Sequence, residues 1–114
     1  MKPVAAYVTI TDMQRSIAFY NRLWNTQPAH TDTRYSYYDL DGFSFGLFDP
    51  AGDGETTVTG NNSVLCFKVD ELAVAYDHIR QHASTIDPIL ETQHVRLFQF
   101  TDPDGNRLEV FQEK

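Results

Sequence analysis

Short stretches with an apolar residue at every second position alternate along the chain with stretches in which apolar residues recur every three or four positions. The first pattern predicts β-strands and the second predicts amphipathic helices, because side chains alternate across a strand but return to one helical face after about 3.6 residues. In the first half we expect strands at residues 4–10, 35–40, 43–48 and 56–59. The helix between the first two strands is predicted by the stripe Met13, Ile17, Tyr20 and Trp24.

The same order of elements begins again near residue 60. In this half we expect strands at residues 64–69, 89–91, 95–100 and 108–112. The helical stripe consists of Leu72, Tyr76, Ile79 and Ala83. A shift of 59 residues lays the first strand and helix on their counterparts, and a shift of 63 lays Asp39 on Asp102 and Gly42 on Gly105. We therefore predict a single α+β domain, residues 1–114, with two copies of one module at about 1–59 and 60–114.

The ends of the predicted elements carry their own signals. Thr11 stands three residues before Gln14, which predicts a capping box at the start of the first helix. Asp70 comes before the second helical stripe and is predicted to cap that helix. The Asp-Gly pairs at residues 41–42 and 104–105 predict tight turns between strands.

The charge of the chain limits its partners. Nine basic against sixteen acidic residues give a net charge of -7, which repels nucleic-acid phosphates and anionic lipid surfaces. Cys66 is the only cysteine, so no internal disulfide can form. No apolar run is long enough to span a membrane, and residues 1–4 lack the apolar core of a signal peptide. We therefore expect a cytoplasmic protein with neither a nucleic acid nor a membrane as its partner.

Two segments resemble the signatures of a known family. Residues 12–20, DMQRSIAFY, are similar to the first strand-to-helix signature of glyoxalase I and its relatives, and residues 102–110, DPDGNRLEV, are similar to their C-terminal signature. The resemblance identifies a member of the vicinal oxygen chelate superfamily, which includes glyoxalase I, extradiol dioxygenases and bleomycin-resistance proteins. It implies a glyoxalase-like fold of two βαβββ modules whose curved mixed sheet forms a cup, with the helices on the outer face. It also implies a homodimer.

The resemblance indicates where a metal would be bound. Metal-dependent members place their ligands on the first and last strands of each module. Carried over by motif and repeat, these positions are Ala5, Gly46, Val64 and Glu109. Only Glu109 has a side chain that can coordinate an ion, whereas a catalytic zinc site normally uses three protein ligands. We therefore expect no bound metal and no other cofactor.

Strand alternation assigns further side chains to the concave face of the predicted cup. The candidate ligand-binding residues are Tyr7, Thr9, Tyr37, Phe48, Cys66, Glu109 and Phe111. Aromatic faces beside a carboxylate suit a planar or cationic small molecule, through stacking, cation–π attraction and a charge-assisted hydrogen bond. The same aromatic residues are equally compatible with core packing or with a dimer interface.

Glu109 is also the candidate catalytic residue. In an apolar site its pKa would be raised and it could act as a general acid or base, or else it forms a salt bridge with Arg107 or Arg34. Cys66 is interpreted as a small buried residue rather than a nucleophile, because the sequence places no histidine beside it.

Three functional hypotheses follow from these residues. The first is a metal-independent binding protein of the bleomycin-resistance type, which sequesters a planar or cationic organic ligand, for example an antibiotic. The alternative is a glyoxalase-like lyase, isomerase or dioxygenase that uses Glu109. A third is a partner-binding subunit whose cup is filled by its own side chains.

Overall fold

A computed structural model describes residues 4–53, 59–60 and 64–114 of the chain. These residues form two mixed β-sheets and two α-helices, which confirms the predicted α+β class. The chain divides into two compact units, Met1–Thr59 and Gly60–Lys114, and each unit has its own sheet and its own helix. Neither described helix is long and apolar enough to cross a membrane.

The first unit combines a four-stranded sheet with one α-helix. Its elements are β1 (Ala5–Thr9), α1 (Met13–Trp24), β2 (His30–Thr31), β3 (Tyr35–Leu40), β4 (Phe43–Phe48) and a 3-10 helix (Pro50–Asp53). The strand order is β1-β4-β3-β2, with β1 parallel to β4 and the other neighbours antiparallel. The sequence pattern does not predict β2, because two residues are too short to show an alternation. Of the strand predicted at 56–59, residues 56–58 lie outside the described residues and Thr59 is not in a strand.

The second unit repeats this arrangement. Its elements are β5 (Leu65–Lys68), α2 (Leu72–Ile79), β6 (Thr85–Ile86), β7 (Leu90–Glu91), β8 (Val95–Thr101) and β9 (Arg107–Glu113). The central strand β9 runs parallel to β5 and antiparallel to β8, as β4 does to β1 and β3. Both short strands, β6 and β7, pair with β8, so together they take the edge position that β2 holds in the first unit.

The two helices begin differently from the sequence prediction. The N-cap of α1 is Asp12, whose carboxylate accepts a hydrogen bond from the Arg15 backbone N–H at 3.1 Å. Thr11 instead accepts a bond from the Arg15 guanidinium at 3.0 Å, so the predicted capping box is wrong. At α2 the cap position is occupied by Glu71 without a capping bond, and the Leu72 N–H donates to the Gln112 side chain at 2.8 Å. A strand residue therefore caps this helix, and the prediction for Asp70 is wrong.

One face of the first sheet packs against α1. The buried apolar side chains of this unit are Val8, Ile10, Met13, Phe19, Tyr20, Leu23, Tyr38, Phe45 and Leu47. The rings of Tyr20, Trp24 and Phe45 lie with their centroids 4.9 to 5.1 Å apart. The Tyr38 hydroxyl donates to the Asn21 side chain at 2.7 Å, so the polar end of this buried residue is satisfied. The other face of the sheet is left for the candidate site.

In the second unit the core has the same construction but a different loop closes the β8–β9 hairpin. The buried apolar side chains are Leu72, Ile79, Phe98, Phe100, Leu108 and Val110. The fully buried Asp102 carboxylate accepts bonds from the backbone N–H groups of Asp104 at 2.9 Å and Asn106 at 2.8 Å. It also accepts a bond from the Asn106 side chain at 2.9 Å, and Asn106 in turn accepts one from the Gly60 N–H at 3.0 Å. The C-terminal signature thus begins with a turn that is closed by hydrogen bonds to the buried Asp102 and Asn106 side chains.

The registers of the two hairpins correct the predicted repeat by one residue. Tyr37 pairs with Gly46 in the first unit, and Gln99 pairs with Glu109 in the second. The central strands are therefore related by a shift of 63 but the strands before them by a shift of 62. Because the second connection is one residue longer, Asp39 corresponds to Thr101 and not to Asp102.

Candidate functional site

The candidate site of the first unit begins with a row of side chains across its sheet. In this row Tyr7 on β1, Gly46 on β4, Tyr37 on β3 and His30 on β2 stand in register. Residues in register on neighbouring strands direct their side chains to the same face. The row is therefore aromatic at both sides of Gly46 and has no side chain at its centre.

The gap above Gly46 is filled from the neighbouring row by Tyr35. A Cβ atom placed on Gly46 would lie only 2.6 Å from Cζ and 2.9 Å from Cε2 of the Tyr35 ring, well inside van der Waals contact. No side chain at position 46 is therefore compatible with this ring position. The sequence resemblance put a metal-ligand position at Gly46, and here a phenol ring lies in that space.

A pocket opens beside this ring. It has a volume of about 260 Å³ and is lined by Tyr7, Tyr35 and Phe48. The rings of Tyr7 and Phe48 meet edge to face with their centroids 5.9 Å apart, and the Tyr35 and Phe48 centroids are 6.5 Å apart. Tyr7 is 58% exposed, so the pocket is accessible to solvent.

Two further groups extend the aromatic face. Tyr37 lies 6.3 Å from Tyr35 between ring centroids, and His30 stacks on Tyr37 at 5.7 Å with an interplanar angle of 21°. Next to Phe48, the Arg34 guanidinium carbon lies 5.6 Å from the centroid of the ring, within cation–π range.

The turn between β2 and β3 positions Arg34 and Tyr35. One carboxylate oxygen of Asp32 accepts bonds from the backbone N–H groups of Arg34 at 2.8 Å and Tyr35 at 2.7 Å. The other oxygen contacts the His30 ring nitrogen at 2.8 Å. The Tyr35 backbone bond, the His30 side chain and the Arg34 backbone bond together lower the pKa of Asp32 to about 2.

The same row of the second unit holds polar side chains. Cys66 on β5, Glu109 on β9 and Gln99 on β8 stand in register. The Cys66 thiol donates to one oxygen of Glu109 at 3.2 Å, and the Gln99 amide donates to the other oxygen at 3.0 Å. Partial desolvation of the sulfur and this bond to Glu109 raise the pKa of Cys66 to about 11. The thiol is therefore protonated at neutral pH and a poor nucleophile, although Cys66 is exposed rather than buried as its sequence context suggested.

Arg107 lies next to this row and is bound elsewhere. Its guanidinium donates to the Gln99 side-chain oxygen at 3.2 Å and to the Asp87 carboxylate at 3.2 Å. These contacts replace the salt bridge between Arg107 and Glu109 that the sequence allowed. Among the described residues, Glu109 is thus held by two neutral donors and not by a cation.

The sequence-predicted site residues fall into two groups. Tyr7, Thr9, Tyr37 and Phe48 lie in the sheet of the first unit, where Thr9 and Tyr35 flank Phe48 in the second row. Cys66, Glu109 and Phe111 lie in the sheet of the second unit, where Phe111 pairs with Lys68 and Leu97.

Sequence reasoning did not identify Tyr35 or Gln99 as members of these sites. Tyr35 could have been found, because it stands two residues from Tyr37 on the same strand face. Gln99 could not have been found in this way. The connection between β8 and β9 is one residue longer than that between β3 and β4, so the predicted repeat does not pair Gln99 with Glu109.

The residues do not fit the metal site of the metal-dependent superfamily members. Ala5, Gly46 and Val64 offer no donor atom, the Tyr35 ring blocks the space above Gly46, and both Glu109 oxygens already accept hydrogen bonds. Within the described ranges, His, Cys, Asp and Glu side chains form no group of three that could hold a metal ion.

Comparison with known proteins agrees with this fold. A protein from Agrobacterium tumefaciens solved by NMR superimposes with a TM-score of 0.85 at 21% identity over 100% of this chain and 98% of that one. A glyoxalase-related enzyme from Fulvimarina pelagi gives a TM-score of 0.81 at 17% identity over 98% and 88%. TnmS3, an antibiotic binding protein from Streptomyces sp. CB03234, gives a TM-score of 0.81 at 19% identity over 100% and 98%.

At these identities the three structures show a shared fold. The sequence itself carries the stronger evidence, because the family profile described as Glyoxalase/Bleomycin resistance protein/Dioxygenase superfamily matches residues 3–110, nearly the whole chain. This match confirms the resemblance found in the two signature segments. The chain belongs to the glyoxalase/bleomycin resistance protein/dioxygenase superfamily.

Proposed function

We propose that this protein binds a small molecule without a metal and sequesters it unchanged, in the manner of the bleomycin-resistance members of its superfamily. Its ligand is a planar organic molecule, for example an antibiotic. The proposal rests on the pocket of about 260 Å³ lined by Tyr7, Tyr35 and Phe48. In the same unit, the metal-ligand position implied by the family resemblance is Gly46, which has no side chain.

The arrangement of the aromatic rings supports binding of a planar ligand. Tyr7 and Phe48 are inclined by 83°, so a planar molecule stacked on one ring meets the edge of the other. The volume lies just below the range of about 300–1,000 Å³ usual for ligand pockets, so it suits a fragment of two or three fused rings. The rest of a larger ligand would extend over the exposed aromatic face, toward Tyr37 and His30.

One of the structural relatives adds support. TnmS3 of Streptomyces sp. CB03234 is an antibiotic binding protein with the same fold. Because only 19% of the aligned residues are identical, this relative supports the class of function and not the identity of the ligand.

We propose further that Tyr7, Thr9, Tyr37 and Phe48 form the main ligand-binding surface, together with Tyr35. Cys66, Glu109 and Phe111 supply a secondary surface, which is polar at Cys66 and Glu109 and aromatic at Phe111. We also propose that the active species is a homodimer, as the family resemblance implies. Sedimentation equilibrium at micromolar concentration tests this last point, and a monomer under these conditions would contradict it.

The alternative function, a glyoxalase-like lyase, isomerase or dioxygenase that uses Glu109, has less support. A general acid or base must exchange a proton with the substrate. Here both carboxylate oxygens of Glu109 are already bound, at 3.2 Å by Cys66 and at 3.0 Å by Gln99. This arrangement favours a hydrogen-bonding role for Glu109 over proton transfer to a substrate.

The test is a titration of the purified protein with a panel of planar aromatic compounds, followed by NMR chemical shifts. We expect saturable shifts at Tyr7, Tyr35 and Phe48, and a loss of affinity of about tenfold in Tyr7→Ala because a stacking contact is removed. Leu90→Ala is the matched control, since Leu90 is 59% exposed and Tyr7 is 58% exposed. The proposal fails if no compound saturates, or if the control weakens binding as much as Tyr7→Ala does.

A further inference from the structure

Three polar groups that donate hydrogen bonds lie beside the aromatic pocket, although the chain as a whole is acidic. They are the hydroxyls of Tyr7 and Tyr35 and the guanidinium of Arg34, which lies 5.6 Å from the Phe48 ring centroid. In the part of the chain that the structure describes, neither hydroxyl makes a hydrogen bond to another residue. A guanidinium offers donors only, whereas a phenol carries one O–H donor and its oxygen can also accept a hydrogen bond.

The Tyr35 hydroxyl remains a donor over the whole physiological pH range. Burial raises the pKa of Tyr35, and the neighbouring phenols of Tyr7 and Tyr37 raise it further. Its ring is held in place by contact with Gly46 and by the backbone bond to Asp32 at 2.7 Å. The donor is therefore fixed at one position in the pocket wall.

One cation, the Arg34 guanidinium, already lies near the Phe48 ring. A ring face attracts a cation within about 6 Å of its centroid, and the Arg34 guanidinium lies at 5.6 Å. A second cation at this face would meet the positive charge of Arg34.

The neighbouring carboxylates are turned toward their own backbones. Asp32 accepts bonds from Arg34 N and Tyr35 N, and its second oxygen contacts His30. Asp49, which follows β4, accepts a bond from the Ala51 N–H at 3.0 Å. Both oxygens of Asp32 and one oxygen of Asp49 thus already take part in hydrogen bonds within the loops that carry them.

We propose that the ligand is a planar aromatic molecule carrying a hydrogen-bond-accepting oxygen, a carbonyl or a carboxylate, which the Tyr35 hydroxyl and the Arg34 guanidinium bind while Tyr7 and Phe48 hold the ring. This inference rests on the proposed function and narrows its ligand class, because it excludes the cationic guest that the net charge of -7 favours. Tyr35 and Arg34 are then the residues that determine specificity.

Three naphthalene probes of one shape test the inference. They are 2-naphthoate, the neutral 2-naphthamide, and 2-naphthylmethylammonium. We expect the naphthoate and the amide to bind at least about tenfold more tightly than the ammonium compound in NMR titrations of the full chain. Tyr35→Phe keeps the ring but removes the donor. It should therefore weaken the binding of the naphthoate and the amide about fivefold and leave the affinity for the ammonium compound unchanged.

Matched variants in the second unit provide the controls. Tyr76→Phe removes a hydroxyl from a ring that packs against Phe98, and Arg80→Gln removes a guanidinium paired with Asp77. Both should bind the three probes as the parent protein does, whereas Arg34→Gln should weaken the naphthoate most.

The possible outcomes separate the two proposals. Tighter binding of the ammonium probe, or equal weakening of all three probes by Tyr35→Phe, would overturn the inference and leave the proposed function standing. Binding of other planar compounds while none of the naphthalene probes binds would overturn it too. If no planar compound of any kind binds, the proposed function fails and the inference fails with it.

Discussion

The two units of this protein build one row of positions in opposite ways. In the second unit Cys66, Glu109 and Gln99 form a hydrogen-bonded chain across three strands. In the first unit the corresponding positions are Tyr7, Gly46 and Tyr37, and the ring of Tyr35 covers the central glycine. The pairing of strands is the same, so the difference comes from side chains alone. A β-sheet face can therefore change from polar to aromatic without a change of fold.

The hairpins beside these rows also differ in their side-chain hydrogen bonds. Of the substitutions considered, one in the β8–β9 hairpin should have the largest effect on the free energy of unfolding. Asp102 is fully buried and its carboxylate accepts three hydrogen bonds, whereas Asp39 is exposed and accepts one, from the Gly42 N–H at 2.8 Å. We expect Asp102→Ala to lower the free energy of unfolding by about 3 kcal/mol, because it leaves buried donors without an acceptor.

Urea unfolding of both variants tests this difference. Asp39→Ala, the matched control in the other hairpin, should cost no more than about 0.5 kcal/mol because water can replace its single bond. Equal losses in the two variants would show that the two hairpins close in equivalent ways, contrary to the contacts described.

Sequence reasoning predicts the parts of this comparison that depend on alternation. The strand pattern places Tyr7 on the same sheet face as Gly46, and Cys66 on the same sheet face as Glu109. The strand registers agree with both placements. It also predicts the absence of donor atoms at three of four metal-ligand positions, since this depends on residue type only.

Other parts depend on information that a single sequence does not contain. One additional residue between β8 and β9 shifts the pairing of Gln99, and no periodicity reveals such an insertion. The contact of Tyr35 with Gly46 runs diagonally between rows, so it depends on a side-chain rotamer. The burial of Asp102 arises from a network that includes Gly60, a residue distant in sequence.

The next largest effect on the free energy of unfolding is expected when the central residue of the first row is replaced by that of the second. Gly46→Glu gives the first row the carboxylate of the second, without the donors that Cys66 and Gln99 provide there. The new side chain must displace Tyr35, and its carboxylate would lie among aromatic rings. We expect a loss of about 2 kcal/mol in the free energy of unfolding, measured in urea, together with loss of planar-ligand binding.

A second substitution separates the steric part of this effect from the electrostatic part. Tyr35→Ala combined with Gly46→Glu removes the clash, so the double variant should recover part of the stability but none of the binding. If Gly46→Glu alone is as stable as the parent protein, the Tyr35 ring does not depend on the bare glycine and the comparison of the two rows breaks down.

The smallest effect expected is a difference in pH response between two equivalent turns. In the turn before β3, the Asp32 carboxylate accepts bonds from the Arg34 and Tyr35 N–H groups. In the turn before β8, the Thr92 hydroxyl accepts them from His94 at 3.3 Å and Val95 at 3.1 Å. A carboxylate titrates and a hydroxyl does not, so in acid only the first turn should lose the group that accepts its backbone hydrogen bonds.

The direction of the response follows from the pKa of Asp32, which the backbone bond from Tyr35 and the contact with His30 lower from 3.8 to about 2. A lowered pKa means that the turn is fully stabilised above about pH 4 and loses this stabilisation as the pH falls through about 2. In a titration from about pH 4 downward, the amide resonances of Arg34 and Tyr35 should therefore begin to shift only below about pH 3, while the amide resonance of Val95 stays constant. Asp32→Thr, which copies the second turn, should abolish the shift. A midpoint near pH 4 would mean that the carboxylate is not held by these N–H groups, and the position of Tyr35 in the pocket wall would then need another cause.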